Sequence, residues 1–140
     1  MMRNVELANV HYGRTPRHTV RHLALVLVLL ASSACGAPSK ERISDDFRQI
    51  FAKEVGAGAL PVVLSVHPGE GDADNVYEHV TFDVFAEEDV GFKDGWLAGT
   101  VLRKGERLHD GEVVVLYQKG KRSQWAIARH ELTRKPSERR

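Results

Sequence analysis

The chain has little of what would cross-link it or hold it across a membrane. Cys35 is the only cysteine among 140 residues, so no disulfide can form within one molecule. The longest apolar run, near the N-terminus, is about a dozen residues, short of the roughly 20 that a membrane-spanning helix needs. These features exclude a multi-pass membrane protein. A hydrophobic content of 42% excludes a wholly disordered chain, and the length fits one domain.

Charge is nearly balanced overall but unevenly spread. The formal net charge is +1. Residues 1–35 contain four bases and one acid, residues 36–118 eight bases and sixteen acids, and residues 119–140 eight bases and two acids. Because everything after residue 35 is close to neutral as a whole, we do not expect a dedicated nucleic-acid-binding protein.

Sequence patterns that signal catalysis or metal binding are scarce. The sequence has no Gly-x-Ser-x-Gly elbow and, after residue 35, no His-x₃-His pair. An acidic stretch begins an Asp-x-Asp pattern with Asp72 and Asp74, but it lacks the glycine and the terminal glutamate of an EF-hand loop. We therefore expect a non-catalytic protein with no cofactor and no metal site. Asp72 and Asp74 are the residues that would be the candidates for binding a metal ion.

The N-terminal region has the three parts of an export signal. A basic segment, Arg14 to His22, precedes the apolar run Leu23 to Leu30, and the small residues Ala31 to Ala34 follow. A basic region, a short apolar core and a small-residue cleavage site are typical of secretory signal peptides. We predict that residues 1–34 are a signal peptide.

The junction Ser32-Ser33-Ala34-Cys35-Gly36 resembles the lipobox of bacterial lipoproteins, with Ser32 where leucine is usual. The resemblance implies that the Cys35 thiol carries a diacylglycerol and that the acylated cysteine anchors the protein in the cell envelope. Because Gly36 rather than aspartate follows the cysteine, it also implies the periplasmic face of the outer membrane in a Gram-negative organism, and otherwise the outer face of the cytoplasmic membrane. Plain secretion and an uncut single anchor are the alternatives.

One amphipathic helix is predicted after a polar tether, residues 35–43. Ser44 precedes two acidic residues and is expected to cap the helix. Gly56 and Gly58 are expected to end it. Four apolar residues share one helix face: Phe47, Ile50, Phe51 and Val55.

Alternating and β-branched patterns downstream predict four to five strands. The predicted strands are Pro61 to Val66, Tyr77 to Val84, Gly95 to Leu102, Glu112 to Gln118 and Gln124 to Arg129. The predicted turns are His67 to Gly69, Asp110-Gly111 and Lys119 to Lys121. Residues 133–140 have no apolar residue other than proline, and we expect a basic disordered tail there.

A single helix followed by sequential strands can bury its apolar stripe only across one face of a sheet. We therefore predict an α+β domain over residues 44–132, with one amphipathic helix packed on a four- to five-stranded antiparallel sheet. In the order of its elements this domain is similar to cystatin-like and NTF2-like folds, which host many unrelated functions. A small β-barrel with one helix is the alternative.

Together these features predict a membrane-anchored envelope lipoprotein whose domain is a non-catalytic binding or assembly module. The alternative is a small-ligand receptor or an enzyme that uses a cavity between helix and sheet. The candidate binding residues are Trp125, which is flanked by bases, and Arg134 and Lys135 in the basic tail. The expected partners are the membrane, through the lipid at Cys35, and another envelope protein or anionic headgroups.

Acylation of Cys35 is the first testable prediction. Metabolic labelling with a fatty-acid analogue should tag the wild type and leave Cys35→Ser unlabelled, because only a thiol forms the thioether and the chain has no other cysteine. Label retained by the variant would contradict the lipoprotein hypothesis.

Overall fold

A computed structural model describes residues 36–139 of the chain. Its elements in chain order are α1, Lys40–Glu54; β1, Ala59–Gly71; β2, Asn75–Ala86; β3, Val90–Gly91; β4, Val101–Leu102; β5, Arg107–Lys119; and β6, Trp125–Arg134. The predicted signal peptide and the predicted lipidation site, Cys35, lie outside the described residues.

Helix α1 begins about one turn earlier than its apolar spacing predicts. Its cap is Ser39 rather than Ser44, and the Ser39 hydroxyl accepts a hydrogen bond from the Arg42 amide (3.2 Å). The additional turn buries Ile43, which favours the longer helix. Residues 40–43 therefore belong to the helix and not to the predicted tether. The other end agrees with the sequence, since Gly56 follows the helix with a φ of 87°.

Four strands form one antiparallel sheet in the order β1-β2-β5-β6. This confirms the predicted architecture of one helix on a four-stranded antiparallel sheet. The barrel alternative is wrong, because the sheet is open. Within residues 36–139 no strand joins β6 back to β1, and the two-residue strands β3 and β4 pair only with each other.

The segment Gly95 to Leu102 departs most from the predicted strands. Only its last two residues are extended, as β4. Gly95 and Gly99 have φ angles of 74° and 80°, which extended strands do not adopt. The glycines therefore divide the segment into turns, where the pattern predicted a strand.

Two of the predicted turns are also displaced. Strand β1 continues through His67 to Gly69, and the chain reverses after Gly71. Asp110 and Gly111 lie inside β5, where the pairing with β2 is irregular and Asp110 has a φ of 62°. A Cβ on Gly111 would lie 2.6 Å from the Phe82 ring, so this glycine serves packing. The turn predicted at Lys119 to Lys121 is confirmed and connects β5 to β6.

The core lies between α1 and one face of the sheet. Phe47 and Phe51 of the helix meet Phe82 of β2 at ring-centroid distances of 4.8 and 6.1 Å. Trp96, from the β3–β4 connection, stacks 6.5 Å from Phe47 and covers this cluster. The fully buried sheet residues around it are Val80, Val84, Val113, Val115 and Tyr117.

Strand β6 continues past its predicted end to Arg134, and backbone pairing extends beyond it. Ser137 and His109 exchange two backbone hydrogen bonds of 2.7 and 2.9 Å, and Pro136 is buried. The chain is therefore ordered on the sheet through Ser137, where composition predicted a disordered tail. Burial of Pro136 and satisfied backbone groups account for the difference.

Truncation of Phe51 tests the packing of α1 on the sheet. Phe51 is 1% exposed, and Phe51→Ala should lower the free energy of unfolding by about 3–5 kcal/mol, as expected for a buried phenylalanine. Urea denaturation measures the change. The exposed helix residue Gln49 provides a control, and Gln49→Ala should stay within about 0.5 kcal/mol of wild type. A loss below about 1 kcal/mol for Phe51→Ala would contradict this packing.

Candidate interaction surfaces

The segment after Cys35 is held against Trp125, the first residue of β6. The Trp125 indole N–H donates a hydrogen bond to the Gly36 carbonyl, and the Arg42 guanidinium donates to the Trp125 carbonyl (2.6 Å). The ammonium group of Lys119 lies 5.9 Å from the centre of the Trp125 ring. Because Trp125 is only 8% exposed, it fastens the N-terminal segment to the sheet and presents little surface for stacking on a ligand.

Beneath Trp125, polar side chains join α1 to β5. The Tyr117 hydroxyl donates to Asp46 (2.9 Å), and Arg42 lies 3.6 Å from the same carboxylate. Burial raises the pKa of Tyr117, and the hydrogen bond to Asp46 raises it further. The hydroxyl is thus a permanent donor, and the pair fixes the first half of α1 on the sheet.

Glu78 of β2 is an acidic side chain on the core face, 5% exposed. It lies opposite Pro68 of β1 and Val115 of β5, so it has apolar neighbours on both sides. Burial raises the pKa of its carboxyl group, and the charges of His79 and Lys40 only partly oppose that effect. Folding therefore shifts the equilibrium of the Glu78 carboxyl toward its protonated form, relative to the unfolded chain.

Two turns at the Gly36 end of the sheet carry opposite charges. The β5–β6 turn region, residues 119–124, contains three bases, whereas the β1–β2 turn contains Asp72 and Asp74. The turns are neighbours, because the Lys119 amide donates to the Asp74 carbonyl (2.8 Å).

Asp72, one of the two metal candidates, shapes the β1–β2 turn. One of its carboxylate oxygens accepts from the amides of Asp74 and Asn75, at 2.8 Å each. These hydrogen bonds, with that of the Asp74 amide the largest, lower the pKa of Asp72. Over residues 36–139 no group of three His, Cys, Asp or Glu side chains is placed to hold a metal ion. The Asp-x-Asp pattern thus corresponds to a side-chain-capped turn.

The face of the sheet turned away from α1, here called the outer face, carries exposed apolar side chains. Leu60 of β1 lies opposite Phe85 of β2, and they are 48% and 39% exposed. A bulge in β1 leaves Leu64 53% exposed, pointing away from its core-packed neighbour Val63. We call Leu60, Leu64 and Phe85 the outer patch.

Polar side chains occupy the middle of the outer face. The hydroxyls of Ser65 and Thr81 are hydrogen-bonded across β1 and β2. Farther along, His79 lies 3.6 Å from Glu112 of β5. The hydroxyl of Thr133 donates to Glu112 (2.9 Å), and this hydrogen bond makes the largest contribution to a lowered pKa of that carboxyl. These contacts tie all four strands together across the outer face.

Asp83 is a buried carboxylate on the outer face, 4% exposed. It lies 2.9 Å from Nδ1 of His109, 3.1 Å from the Asp110 amide and 3.7 Å from Arg107. A carboxylate that orients a histidine is part of a hydrolytic triad. Among residues 36–139, however, no hydroxyl or thiol hydrogen-bonds to His109, so the group's visible role is to hold the irregular stretch of β5.

Arg134 and Lys135 lie at the opposite end of β6 from Trp125 and are engaged within the chain. Arg134 donates to the Asp110 carbonyl (2.6 Å) and lies 3.5 Å from Glu112. Lys135 donates to the Ala98 carbonyl (3.4 Å). The length of β6, about 30 Å, separates them from Trp125. The structure therefore does not bring the three candidate binding residues together.

Both edge strands have features that discourage the addition of another strand. Strand β1 contains Pro61 and Pro68, which have no N–H to donate, and the bulge beside Leu64. Strand β6 alternates charges along its length, with Arg129, Glu131 and Arg134. Prolines, bulges and charges are the usual protections of sheet edges. A partner is therefore expected on a face of the sheet and not along an edge.

Surface depressions surround the helix–sheet layer. A groove of about 370 Å³ lies between α1 and β1, and its charged lining residues are Arg48 and Glu87. A depression of about 530 Å³ lies between the end of α1 and the β3–β4 region. A third, of about 690 Å³, lies on the outer face beside Tyr77 and His79. The groove beside α1 lacks a cluster of acid–base side chains such as a catalytic cavity requires.

No protein-family model, curated protein or solved structure matches this chain. Among the described residues, none of the helices is both long and apolar enough to cross a bilayer.

Three features of these surfaces could not be predicted from the sequence patterns. The docking of Gly36 on Trp125 and the burial of Glu78 depend on contacts between distant segments. The Asp83–His109 pair joins residues 26 positions apart. One signal was available for Glu78: in the alternating pattern of β2 it has the same parity as Val80 and Phe82, which places it on the core face.

Replacing Glu78 by glutamine should stabilise the protein at pH 7. The pKa of the Glu78 carboxyl is raised in the folded state. Ionisation of Glu78 therefore lowers the free energy of unfolding at pH values above that pKa. This loss of stability disappears below the unfolded-state pKa of about 4.3, where the carboxyl is protonated in both states. Urea denaturation at pH 7 and at pH 3.5 should show a stabilised Glu78→Gln at the higher pH and no difference from wild type at the lower.

Glu70→Gln, on the exposed end of β1, is the matched control and should match wild type at both pH values. A Glu78→Gln variant that is less stable than wild type at pH 7 would contradict the assignment.

Proposed function

We propose that this protein is a lipoprotein of the cell envelope, anchored through Cys35, whose α+β domain is a non-catalytic binding module. The lipobox-like junction supports the anchor. The observation that carries the binding role is the outer patch, because an open sheet with one helix leaves a face free to receive another protein.

The filled space beneath α1 supports a binding module over an enzyme or a small-ligand receptor. Phe47, Phe51 and Phe82 occupy the region where such a cavity would lie. A ligand cavity needs concave space with a few convergent polar groups. The groove beside α1 opens at the edge of the sheet instead, with only Arg48 and Glu87 as charged lining residues.

The proposed partner on the outer patch is another envelope protein. The exposed side chains of the outer patch stabilise an interface when they are buried. The hydroxyls of Ser65 and Thr81 and the imidazole of His79, on the same face, supply polar groups for its rim. With the anchor as proposed, this interface lies at the periplasmic face of the outer membrane, or outside the cytoplasmic membrane where there is only one.

Site-specific photo-crosslinking in the native envelope tests the binding role. A photo-reactive amino acid at Leu64 should give a discrete crosslinked species of defined mass. The same amino acid at Gln49, on the exposed side of α1, is the control and should not give that species. Identical products from both positions, or none from Leu64, would contradict a partner on the outer face.

A second variant separates binding from folding. Leu64→Ser should abolish the crosslink from a reactive group placed at Leu60 and leave thermal unfolding nearly unchanged, because Leu64 is 53% exposed. An undiminished crosslink would mean that the patch does not contribute to the interface.

A further inference from the structure

The position of Gly36 determines which part of the domain an anchor at Cys35 would bring to a membrane. Its carbonyl is held by the Trp125 indole, and Cys35 is the next residue toward the N-terminus. Consecutive Cα atoms are about 3.8 Å apart, so the chain has almost no slack between the anchor and β6. The placement of a membrane at this end of the domain rests on the proposed lipoprotein function.

The β5–β6 turn lies beside this point, because it leads directly into Trp125. It contributes Lys119, Lys121 and Arg122, and from residue 113 to residue 130 the chain has four bases and no acid. Lys121 and Arg122 are exposed and form no ion pair with any other residue of the range 36–139. Their charge is therefore available to an anionic surface.

The acidic β1–β2 turn lies at the same end of the sheet but farther from β6. The two turns meet at the hydrogen bond from the Lys119 amide to the Asp74 carbonyl (2.8 Å). The midpoints of the two hairpins are about two strand spacings, about 10 Å, apart, because β1 and β6 are the outer strands. Electrostatic attraction decays over a Debye length of about 8 Å at physiological salt. An anchor beside β6 therefore places Lys121 and Arg122 closer to the headgroups than Asp72 and Asp74, whose repulsion is weaker at the greater distance.

We propose that the β5–β6 turn contacts anionic phospholipid headgroups of the membrane that holds the anchor. In this orientation, the end of the sheet at which β6 begins, with Trp125, contacts the bilayer. The β3–β4 region and the β4–β5 turn, at the opposite end of the sheet, point away from it. Arg134 and Lys135, at the far end of β6, do not take part.

Single thiols at the two ends of the sheet test this orientation in the intact lipoprotein. Once Cys35 is acylated, Gln124→Cys or Ala98→Cys supplies the only free thiol for a fluorophore. Both positions are exposed, Gln124 beside the β5–β6 turn and Ala98 in the β3–β4 connection. In vesicles containing phosphatidylglycerol and a headgroup-attached quencher, the label at residue 124 should be quenched strongly and that at residue 98 weakly. Equal quenching would overturn the orientation.

Charge reversal tests the chemistry of the contact. The double variant Lys121→Glu/Arg122→Glu should reduce the population with its turn on the bilayer by at least about 25-fold, because the loss of each base costs about fivefold and the two glutamates add repulsion. The matched control is Arg103→Glu/Lys104→Glu in the exposed β4–β5 turn, which changes the net charge equally at the other end of the sheet. It should quench like wild type. The two variants should be indistinguishable in vesicles of phosphatidylcholine alone.

The outcomes separate this proposal from the proposed function. Two reactive thiols in Gln124→Cys, with protein that does not sediment with membranes, would mean that Cys35 is not acylated and would overturn both. One reactive thiol, sedimentation with membranes and equal loss of quenching in both charge variants would overturn only the contact of the β5–β6 turn with anionic lipid.

Discussion

The contact of Phe47 and Phe51 with Phe82 is the interaction on which the rest of the structure depends. With one helix available, these rings decide which face of the sheet is buried, and β5 gives them room where Gly111 passes the Phe82 ring without a side chain. Apolar burial of this kind is the main favourable term in folding. Since the helix covers only one face of the sheet, the outer face is left open. The exposure of Leu60, Leu64 and Phe85 on that face is a consequence of the same packing.

A second set of contacts works at the end of the sheet where Gly36 meets Trp125. Arg42 joins the helix to the Trp125 carbonyl, and Tyr117 joins it to β5 through Asp46. The segment that the sequence predicts as a polar tether is thereby reduced, within the described residues, to residues 36–39. Gly36 in this segment is hydrogen-bonded to Trp125, and Ser39 caps the helix. A flexible tether would let a lipid-anchored domain tumble, whereas a docked one transmits the position of the anchor to the whole sheet.

The coarse fold follows from patterns that the sequence shows directly. The period of the apolar residues in α1 and the alternation of Val80, Phe82 and Val84 identify a helix and a strand, and the order of elements leaves few ways to bury them. Boundaries fail where tertiary contacts override local signals. Ile43 becomes buried because the helix begins earlier, and Pro136 becomes buried because the tail is ordered on the sheet. Gly95 and Gly99 form turns in a segment whose pattern predicts a strand. The candidate surfaces were less predictable from the sequence. Trp125, Arg134 and Lys135 all belong to the basic C-terminal part of the chain, but they lie at opposite ends of β6.

The two proposed contacts of the domain, with a protein and with a membrane, lie at opposite ends of the sheet. Leu60 and Phe85 lie where β1 begins and β2 ends, which is the end opposite to Gly36. The ten residues from Val76 to Phe85 span about 30 Å, several times the Debye length. In the proposed arrangement, a protein bound at the outer patch would therefore not compete with headgroups for the same surface, and the bases near the proposed anchor would not bias which protein binds. The prolines of β1 favour the same arrangement, because they hinder strand addition along the edge and leave the open face as the surface on which a partner can be recognised.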